Sequence, residues 1–389
     1  MSCALASAAC SGGSPGGAPS SAGGGASQSP ASSGAASSSP AASGPSSAAP
    51  STSSLTSMQL AGQRVVYSYT GTTPPSELLT LIREGEVGGV IFFSSNITSS
   101  GQLADVVKEL NAAQAQSSVH LPLLLMTDQE GGVVRRIPNG QPTESQRKIG
   151  QSSSPAQAAS QAGTAAAQTL SGSGLNVNLA PVLDVFASPG NFIDQYGRSY
   201  SNDPGVVSSA GAAFITAQQS SGVAATAKHF PGLGTAPTNA DTDNVPVTLT
   251  EPVSQIRAVD EEPYKAAINA GVDLIMLSWA VYPALDANRP AGLSTTVVQG
   301  ELRDRLGYTG VTVTDALEAG ALKAYGGPGQ RAVDAASAGM DLLLCSSGSV
   351  SQGEEATQAL AQAVQGGQLT TSSFNAAVGR IDALRGKLG

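Results

Sequence analysis

The sequence is poor in the residues that build metal sites, disulfide frameworks and nucleic-acid surfaces. Its 389 residues include three cysteines, two histidines, one tryptophan and 19 lysines and arginines, and the formal net charge is −9. Cys3, Cys10 and Cys345 are too few and too far apart for a disulfide framework, and two histidines cannot complete a zinc pattern. We therefore expect no metal and no cofactor. The scattered basic residues argue against binding of nucleic acid.

Charge is also missing from the start of the chain, where Ser, Ala, Gly and Pro dominate and the first charged residue is Arg64. Such a segment buries too little apolar surface to offset the entropy cost of ordering. We predict a disordered tether over residues 1–57 and a folded domain over residues 58–389. Ser7-Ala8-Ala9-Cys10 resembles the stretch before the lipidated cysteine of bacterial lipoproteins, and an incidental cysteine in a low-complexity tail is the alternative. A lipidated Cys10 would attach the protein to a membrane, whereas no apolar run reaches the 18 residues of a membrane span.

Beyond Arg64, short apolar runs alternate with longer Ala-, Leu- and Gln-rich stretches of helical character. The eight predicted strands are Val65–Tyr69, Gly89–Phe93, Leu121–Asp128, Leu175–Val185, Val223–Phe230, Val272–Trp279, Gly310–Asp315 and Met340–Cys345. The predicted helices are Pro75–Glu84, Gln102–Gln116, Pro155–Leu170, Gly205–Gln219, Pro252–Ala270, Gln330–Ala338 and Phe374–Leu388. Eight consecutive βα units favour an α/β fold of the (β/α)8 TIM-barrel type, with a doubly wound open sheet as the alternative.

Polar side chains follow five of these strands at the end where a barrel carries its chemistry. They are Asp128 and Glu130, Asp184 and Arg198, Lys228 and His229, Ser278 and Trp279, and Thr314 and Asp315. Each one alone could be a structural ion-pair partner or a helix cap. So many charges on one rim favour a polar ligand, and carbohydrate suits them because fixed charged groups can hydrogen-bond sugar hydroxyls. Trp279 could stack on a pyranose ring.

From about residue 62 to residue 389, the chain resembles the single-domain β-N-acetylglucosaminidases (NagZ-like) of glycoside hydrolase family 3. The motifs that carry the resemblance are Thr127–Gly132, Leu179–Val185, Gly197–Tyr200, Lys228–Gly232 and Gly310–Leu317. The resemblance implies sugar binding by Asp128, Arg198, Lys228 and His229. It also implies that Asp315 is the nucleophile that forms a covalent glycosyl-enzyme intermediate.

A retaining glycosidase needs a carboxylate below the anomeric carbon, and Asp315 at the end of the seventh strand supplies one. Capping of the following helix is the alternative role for Asp315, and Glu318 is the second choice for the nucleophile. The family usually carries its acid/base as a His two residues after an Asp, where this chain has Asp241-Thr242-Asp243. We predict that Asp243 is the proton donor, with Asp241 as the alternative. An exposed Asp with a pKa near 4 would need desolvation to stay protonated at neutral pH.

Two further departures concern the side of the cleft beyond the cleaved bond. Val133 stands where the family often has Arg, and Trp279 stands where a His often follows the sixth strand. We predict a monomeric, retaining β-N-acetylglucosaminidase that acts outside the cytoplasm on terminal β-linked N-acetylglucosamine of glycans, such as peptidoglycan fragments. One alternative is an N-acetylglucosaminide phosphorylase with the same nucleophile. The other is a catalytically weak barrel that binds cell-wall glycans.

Overall fold

The computed structural model describes residues 55–389, and within them eight parallel strands close into a barrel. With strands numbered in chain order, the barrel strands are β1 (Val65–Tyr67), β2 (Gly89–Ile91), β3 (Leu124–Thr127), β6 (Val177–Asn178), β7 (Ala224–Phe230), β8 (Leu274–Leu277), β11 (Val311–Ala316) and β12 (Leu342–Leu344). Two small antiparallel pairs lie outside the barrel: β4 (Gln129–Gly131) with β5 (Val134–Arg135), and β9 (Val281–Tyr282) with β10 (Asp286–Pro290). Each barrel strand pairs with the next one along the chain and β12 pairs with β1, which confirms the (β/α)8 fold over the open sheet.

Alternation along the strands divides the core into two layers. Val66 and Val313 belong to a cluster inside the barrel. Val65 belongs with the helix residues Leu78 and Phe214 to the cluster between barrel and helices. Successive strand residues point to opposite faces, so strands covered on both faces read as nearly continuous apolar runs. This is the pattern from which the strands were predicted.

Helices cover the outside of the barrel. They are α1 (Ser57–Gly62), α2 (Ser76–Glu84), α3 (Ser100–Gln114), α4 (Gln146–Gly150), α5 (Pro155–Ser171), α6 (Pro204–Ser220), α7 (Val253–Gln255), α8 (Glu262–Asn269), α9 (Pro328–Ala338), α10 (Val350–Gln365) and α11 (Thr371–Leu388). A wider helix over Thr296–Arg305 precedes β11. None of the helices within residues 55–389 is long and apolar enough to cross a membrane.

Several helical regions differ from the prediction, and the short helices α1 and α4 were not predicted. The single predicted helix Pro252–Ala270 is divided into α7, the wide turn Ile256–Asp260 and α8, which restarts with Pro263 in its first turn. The helix Thr296–Arg305 was not predicted. Helix α10 was not predicted either, because Gly353 interrupts its helical sequence pattern. Glycine is needed there since α10 lies directly on β1: a Cβ atom at residue 353 would lie 2.2 Å from the ring of Tyr67.

The predicted tether lies almost wholly outside the described residues, together with Cys3 and Cys10. Helix α1 begins at Ser57, one residue before the predicted start of the barrel domain, and the Thr56 side chain accepts a hydrogen bond from the Gln59 amide. The third cysteine, Cys345, is buried after β12 and has no disulfide partner among residues 55–389.

Candidate active site

A cavity of about 390 Å³ lies at the carboxyl ends of the barrel strands. Cavities of roughly 300 to 1,000 Å³ are typical of sites for small ligands. All predicted site residues except Trp279 line it: Asp128, Arg198, Lys228, His229, Asp241, Asp243 and Asp315. The barrel therefore brings together residues that are up to 187 positions apart, from Asp128 to Asp315.

Lys228 and His229 are consecutive in β7, yet both face this cavity. Strand β7 pairs Lys228 with Met276 and then Phe230 with Leu277, so two steps along β7 correspond to one step along β8. Such an extra residue bends a strand and changes the direction of its side chains. In a regular strand the two side chains would point to opposite faces.

A buried ionic network forms one wall of the cavity. The Nζ atom of Lys228 lies 2.7 Å from Asp128 Oδ1 and 2.8 Å from Glu130 Oε1. Arg198 donates two hydrogen bonds to Glu130, from Nε to Oε2 at 2.9 Å and from Nη2 to Oε1 at 2.8 Å. Glu130 received no role from the sequence, although it follows β3 in a motif that was singled out. The structure places it at the centre of this network, behind the lining residues Asp128, Arg198 and Lys228.

Charge pairing keeps this network ionised. Burial alone would raise the pKa of Glu130, but the guanidinium of Arg198 and the ammonium of Lys228 hold it well below its usual range. Burial would likewise lower the pKa of Lys228, whereas the carboxylates of Asp128 and Glu130 raise it. Desolvated charges are retained only when they are paired and hydrogen-bonded in this way.

Asp184 fixes the orientation of His229. Its Oδ2 atom lies 2.8 Å from His229 Nδ1, and its Oδ1 atom accepts hydrogen bonds from the backbone amides of Leu233 at 2.7 Å and His229 at 3.3 Å. Asp184 is fully buried. An ionised carboxylate can only accept a hydrogen bond, so the Nδ1 atom of His229 carries the hydrogen and donates it to Asp184. The other ring nitrogen, Nε2, is then available to a ligand.

Arg136 also lines the cavity and was not predicted. Its Nε atom lies 3.9 Å from Asp128 Oδ2, is buried, and has no hydrogen-bond partner among the described residues. The sequence signal was weak because Arg136 follows the β4–β5 pair and not a barrel strand.

The two candidate acids, Asp241 and Asp243, share one loop but differ in their contacts. Asp241 accepts hydrogen bonds from the Asp243 amide at Oδ1, at 3.0 Å, and from Asn244 Nδ2 at Oδ2, at 2.6 Å. The Asp243 carboxylate accepts no hydrogen bond from the part of the chain that the structure describes, and it faces the cavity. Asp241 therefore shapes the loop, whereas Asp243 is available to a ligand.

The carboxylate of Asp315 raises the pKa of Asp243 to about 7, with further contributions from burial and from the carboxylate of Asp241, and with His229 and Arg198 opposing the shift. The expectation of an ordinary Asp pKa near 4 therefore does not hold at this position. Asp315 is half-buried at the end of β11, and its Oδ1 atom accepts a hydrogen bond from the Ala316 amide at 2.8 Å. Two carboxylates whose environments differ in this way are typical of an acid and its anionic partner.

The prediction that Trp279 stacks on a sugar is wrong for this structure. The side chain is 0% exposed and its indole Nε1 donates to the Ala316 carbonyl at 2.9 Å. A Cβ atom at Gly292 would lie 2.5 Å from the Trp279 ring, so the indole is enclosed behind the cavity wall. Trp279 thus holds the backbone directly after Asp315.

Glu318, the second choice for the nucleophile, lines the cavity but is occupied by protein contacts. It accepts hydrogen bonds from the Ser346 hydroxyl at 2.7 Å, from the Ser346 amide at 3.2 Å and from Gln352 Nε2 at 3.0 Å. These contacts join the loop after β11 to the loop after β12, which favours a structural role.

The most exposed large apolar side chains of the described residues lie in loops on the same face of the barrel. They are Val133 (69% exposed), Tyr196 (50%) and Val245 (43%). Tyr196 packs edge-on against Phe192, with ring centroids 6.2 Å apart, and Phe192 lines the cavity. The rim is therefore partly apolar, which suits the faces of sugar rings. Among residues 55–389, no group of three or more His, Cys, Asp or Glu side chains is arranged to hold a metal ion.

Comparison with known proteins agrees with this geometry. The family model for the glycosyl hydrolase family 3 N-terminal domain matches residues 57–384. A protein of Arthroderma benhamiae named as an uncharacterized secreted glycosyl hydrolase is 50% identical over 329 residues, which cover 84% of this chain and 93% of that protein. A beta-hexosaminidase of Stenotrophomonas maltophilia is 35% identical over 318 residues, covering 80% and 89% of the two chains.

Solved structures show the same relationship. The family 3 beta-N-acetylglucosaminidase from Paenibacillus sp. FPU-7 superposes with a TM-score of 0.81 at 35% identity, and the match covers 86% of this chain and 63% of that one. The beta-N-acetylhexosaminidase from Beutenbergia cavernae superposes with a TM-score of 0.77 at 31% identity, covering 85% and 99%.

Proposed function

Because the chain belongs to glycoside hydrolase family 3, we propose that it is a retaining β-N-acetylglucosaminidase with Asp315 as the nucleophile and Asp243 as the acid/base. The observation that carries the assignment is the pairing of these two carboxyl groups in one cavity. The charge of Asp315 raises the pKa of Asp243 to about 7, so Asp243 can hold a proton near neutral pH. This is the property that a general acid requires.

The reaction has two steps. In the first, the Asp315 carboxylate attacks the anomeric carbon, the bond to the leaving oxygen breaks, and Asp243 gives its proton to that oxygen. In the second, Asp243 takes a proton from water, the water oxygen attacks the anomeric carbon, and the bond to Asp315 breaks. Asp243 then carries the proton for the next cycle, and the configuration of the sugar is retained.

The ionic wall binds the terminal sugar. The charges of Lys228 and Arg198 are balanced by Asp128 and Glu130 within the protein, so the wall presents fixed hydrogen-bonding groups to an uncharged ligand. The Nε2 atom of His229 adds a further hydrogen-bonding position. Such preorganised groups orient a sugar without reorganising during the reaction.

The aglycone lies against the apolar rim. Tyr196 offers an exposed ring beside Phe192, and Val133 replaces the arginine that the family often carries. A neutral sugar of a glycan chain fits these side chains because a pyranose face is apolar. Peptidoglycan fragments stay a prediction, as do the monomeric state and attachment through Cys10. We place the enzyme outside the cytoplasm because its relative from Arthroderma benhamiae is named as secreted.

The test is release of nitrophenol from the β-N-acetylglucosaminide and the β-glucoside, each with and without phosphate, beside Asp315→Asn as the inactive control. We expect turnover of the first substrate that does not depend on phosphate. Phosphate acceleration with release of a sugar 1-phosphate would identify a phosphorylase. Saturable binding of N-acetylglucosamine by folded protein without turnover of either glycoside would identify a glycan-binding barrel.

A further inference from the structure

The loop that carries Asp243 has few attachments at its tip. Its flanks are held by hydrogen bonds from the Phe192 amide to the Ala236 carbonyl, at 3.1 Å, and from the Leu249 amide to the Val281 carbonyl, at 2.9 Å. Between these flanks, residues 241–246 form hydrogen bonds mainly with one another. The position of Asp243 therefore depends on whatever the tip contacts.

The tip is bound by the turn that follows Asp315. The Gly320 amide donates to the Asp243 carbonyl at 2.7 Å, and the Ala321 amide donates to the Thr242 carbonyl at 3.0 Å. Within residues 55–389, these are the only hydrogen bonds between residues 241–246 and the rest of the chain. One short turn thus joins the two segments that carry the catalytic carboxyl groups.

Gly320 allows this contact through its missing side chain. A Cβ atom at residue 320 would lie 2.1 Å from the Asn244 oxygen, 2.3 Å from its carbonyl carbon and 2.9 Å from its Cα. All three are backbone atoms, which cannot rotate away as the end of a side chain can. Gly320 does not have a positive φ, so an alanine would suit its own backbone conformation. The nearest obstacle to alanine is the backbone of the loop that carries Asp243.

We propose that Gly320 is a positioning residue that docks the Asp243 loop beside Asp315 and thereby sets the geometry of proton donation. The inference rests on the proposed function of Asp243. Gly320 touches no reacting atom, and it acts by permitting a close backbone approach that any other residue would prevent. The turn keeps its own hydrogen bonds, from the Ala319 amide to Ala316 and from the Leu322 amide to Ala319, so it can persist when the loop moves.

The docked loop sets the charges that Asp243 experiences. The carboxyl group of Asp243 faces Asp315 at the end of β11, His229 in β7, Arg198 in the loop after β6 and Asp241 in its own loop. Glu318 lines the same cavity. Moving the loop away from Asp315 removes the largest cause of the raised pKa of Asp243. Its pKa then falls toward the ordinary Asp value of about 4.

The test compares Gly320→Ala with Gly379→Ala, a glycine in α11 where a Cβ atom would meet nothing within 4 Å. For Gly320→Ala we expect kcat/KM to fall at least about 10-fold on N,N′-diacetylchitobiose, whose leaving group needs a proton, and less than about threefold on the dinitrophenyl β-N-acetylglucosaminide. The basic limb of the pH profile should move to lower pH. Gly379→Ala should match wild type in all three respects.

A second variant tests the same contact in case Gly320→Ala fails to fold. Ala321→Pro removes the amide that donates to Thr242, in the first turn of a short helix, where proline is tolerated. It should show the same dependence on the leaving group, with the melting temperature and the affinity for N-acetylglucosamine reporting on the fold. In one outcome, the loss of kcat/KM in Asp243→Asn depends on the leaving group, while both loop variants behave like Gly379→Ala. The docking inference is then overturned and the proposed function stands. If Asp243→Asn itself shows no such dependence, the assignment of the acid is wrong.

Discussion

The two sides of the cavity differ in the partners of their carboxylates. One side is backed by the ionic network of Asp128, Glu130, Arg198 and Lys228, and the other carries Asp243 and Asp315. On the first wall, Glu130 is 1% exposed and pairs with two cations. On the other side, Asp243 is exposed, and no cation lies within ion-pair distance of it among the described residues. The first arrangement gives fixed charge for binding a sugar, and the second leaves a proton free to be transferred.

The largest effect is expected on the side that carries the chemistry. Asp315→Asn removes the proposed nucleophile and the charge that raises the pKa of Asp243. We expect kcat/KM to fall at least about 10³-fold on both N,N′-diacetylchitobiose and the dinitrophenyl glycoside, because neither substrate can bypass the nucleophile. A folded variant with wild-type turnover of either substrate would contradict the assignment.

On the paired wall, Glu130→Gln should mainly change stability. The substitution leaves Arg198 and Lys228 buried without their shared carboxylate, and we expect the free energy of unfolding to fall by about 3 kcal/mol in urea titrations. The matched control is Asp105→Asn, which breaks an ion pair with Lys108 whose side chains are both 77% exposed. That change should cost less than about 1 kcal/mol. Equal effects of the two substitutions would remove the distinction between the buried wall and a surface pair.

A comparison of wild type with Glu130→Gln at different pH values tests the charge state of Glu130. Because the folded-state pKa of Glu130 is lowered, its ionisation stabilises the fold at pH values above its unfolded pKa of about 4.3. This contribution is lost as the pH falls through the folded-state pKa. The difference in stability between wild type and Glu130→Gln should therefore shrink below about pH 4. A difference that is constant from pH 7 to pH 3 would show that the effect does not come from charge.

A smaller effect on activity is expected when His229 is kept but loses the carboxylate that orients its ring. In Asp184→Asn, an amide replaces the carboxylate that accepts hydrogen bonds at both oxygens. We expect KM for the nitrophenyl β-N-acetylglucosaminide to rise about 10-fold with a smaller change in kcat, since the proposed function assigns His229 to binding of the sugar and not to the leaving group. A loss confined to kcat would place His229 in the chemistry instead.

The smallest effect is expected at the rim. Tyr196→Ala should raise KM for N,N′-diacetylchitobiose about threefold through loss of stacking, while Tyr196→Phe should behave as wild type. The affinity for free N-acetylglucosamine, which has no aglycone, should be unchanged in both variants. Unchanged KM for the disaccharide in Tyr196→Ala would remove this residue from the aglycone site.

The sequence predicted the barrel and most of the cavity for a physical reason. Strands covered on both faces are apolar runs, and the polar residues that follow them must meet at one face of a closed barrel. Asp128, Lys228 and Asp315 could be placed together on that basis alone. Helix α10 was missed because Gly353 weakens its helical pattern. The glycine is required by close contact with Tyr67 in β1, which is distant in the sequence.

Properties that depend on neighbours could not be predicted. Trp279 follows a strand end like the true lining residues, but its indole turns behind the wall to bind the Ala316 carbonyl. The pKa of Asp243 depends on the charge of Asp315, which lies 72 positions away in the sequence. The central position of Glu130 likewise appears only when β3, β7 and the Arg198 loop are brought together.

The most direct measurement is the pH profile of kcat/KM for wild type and Asp243→Asn on N,N′-diacetylchitobiose and the dinitrophenyl β-N-acetylglucosaminide. Asp243 must be protonated to act as an acid, so wild-type kcat/KM on the disaccharide should fall as the pH rises through about 7. In Asp243→Asn, activity on the disaccharide should drop about 10² to 10⁴-fold and this limb should disappear, while the dinitrophenyl glycoside is cleaved nearly as before. Equal losses on both substrates, or a basic limb that survives the substitution, would contradict the pairing of Asp243 with Asp315.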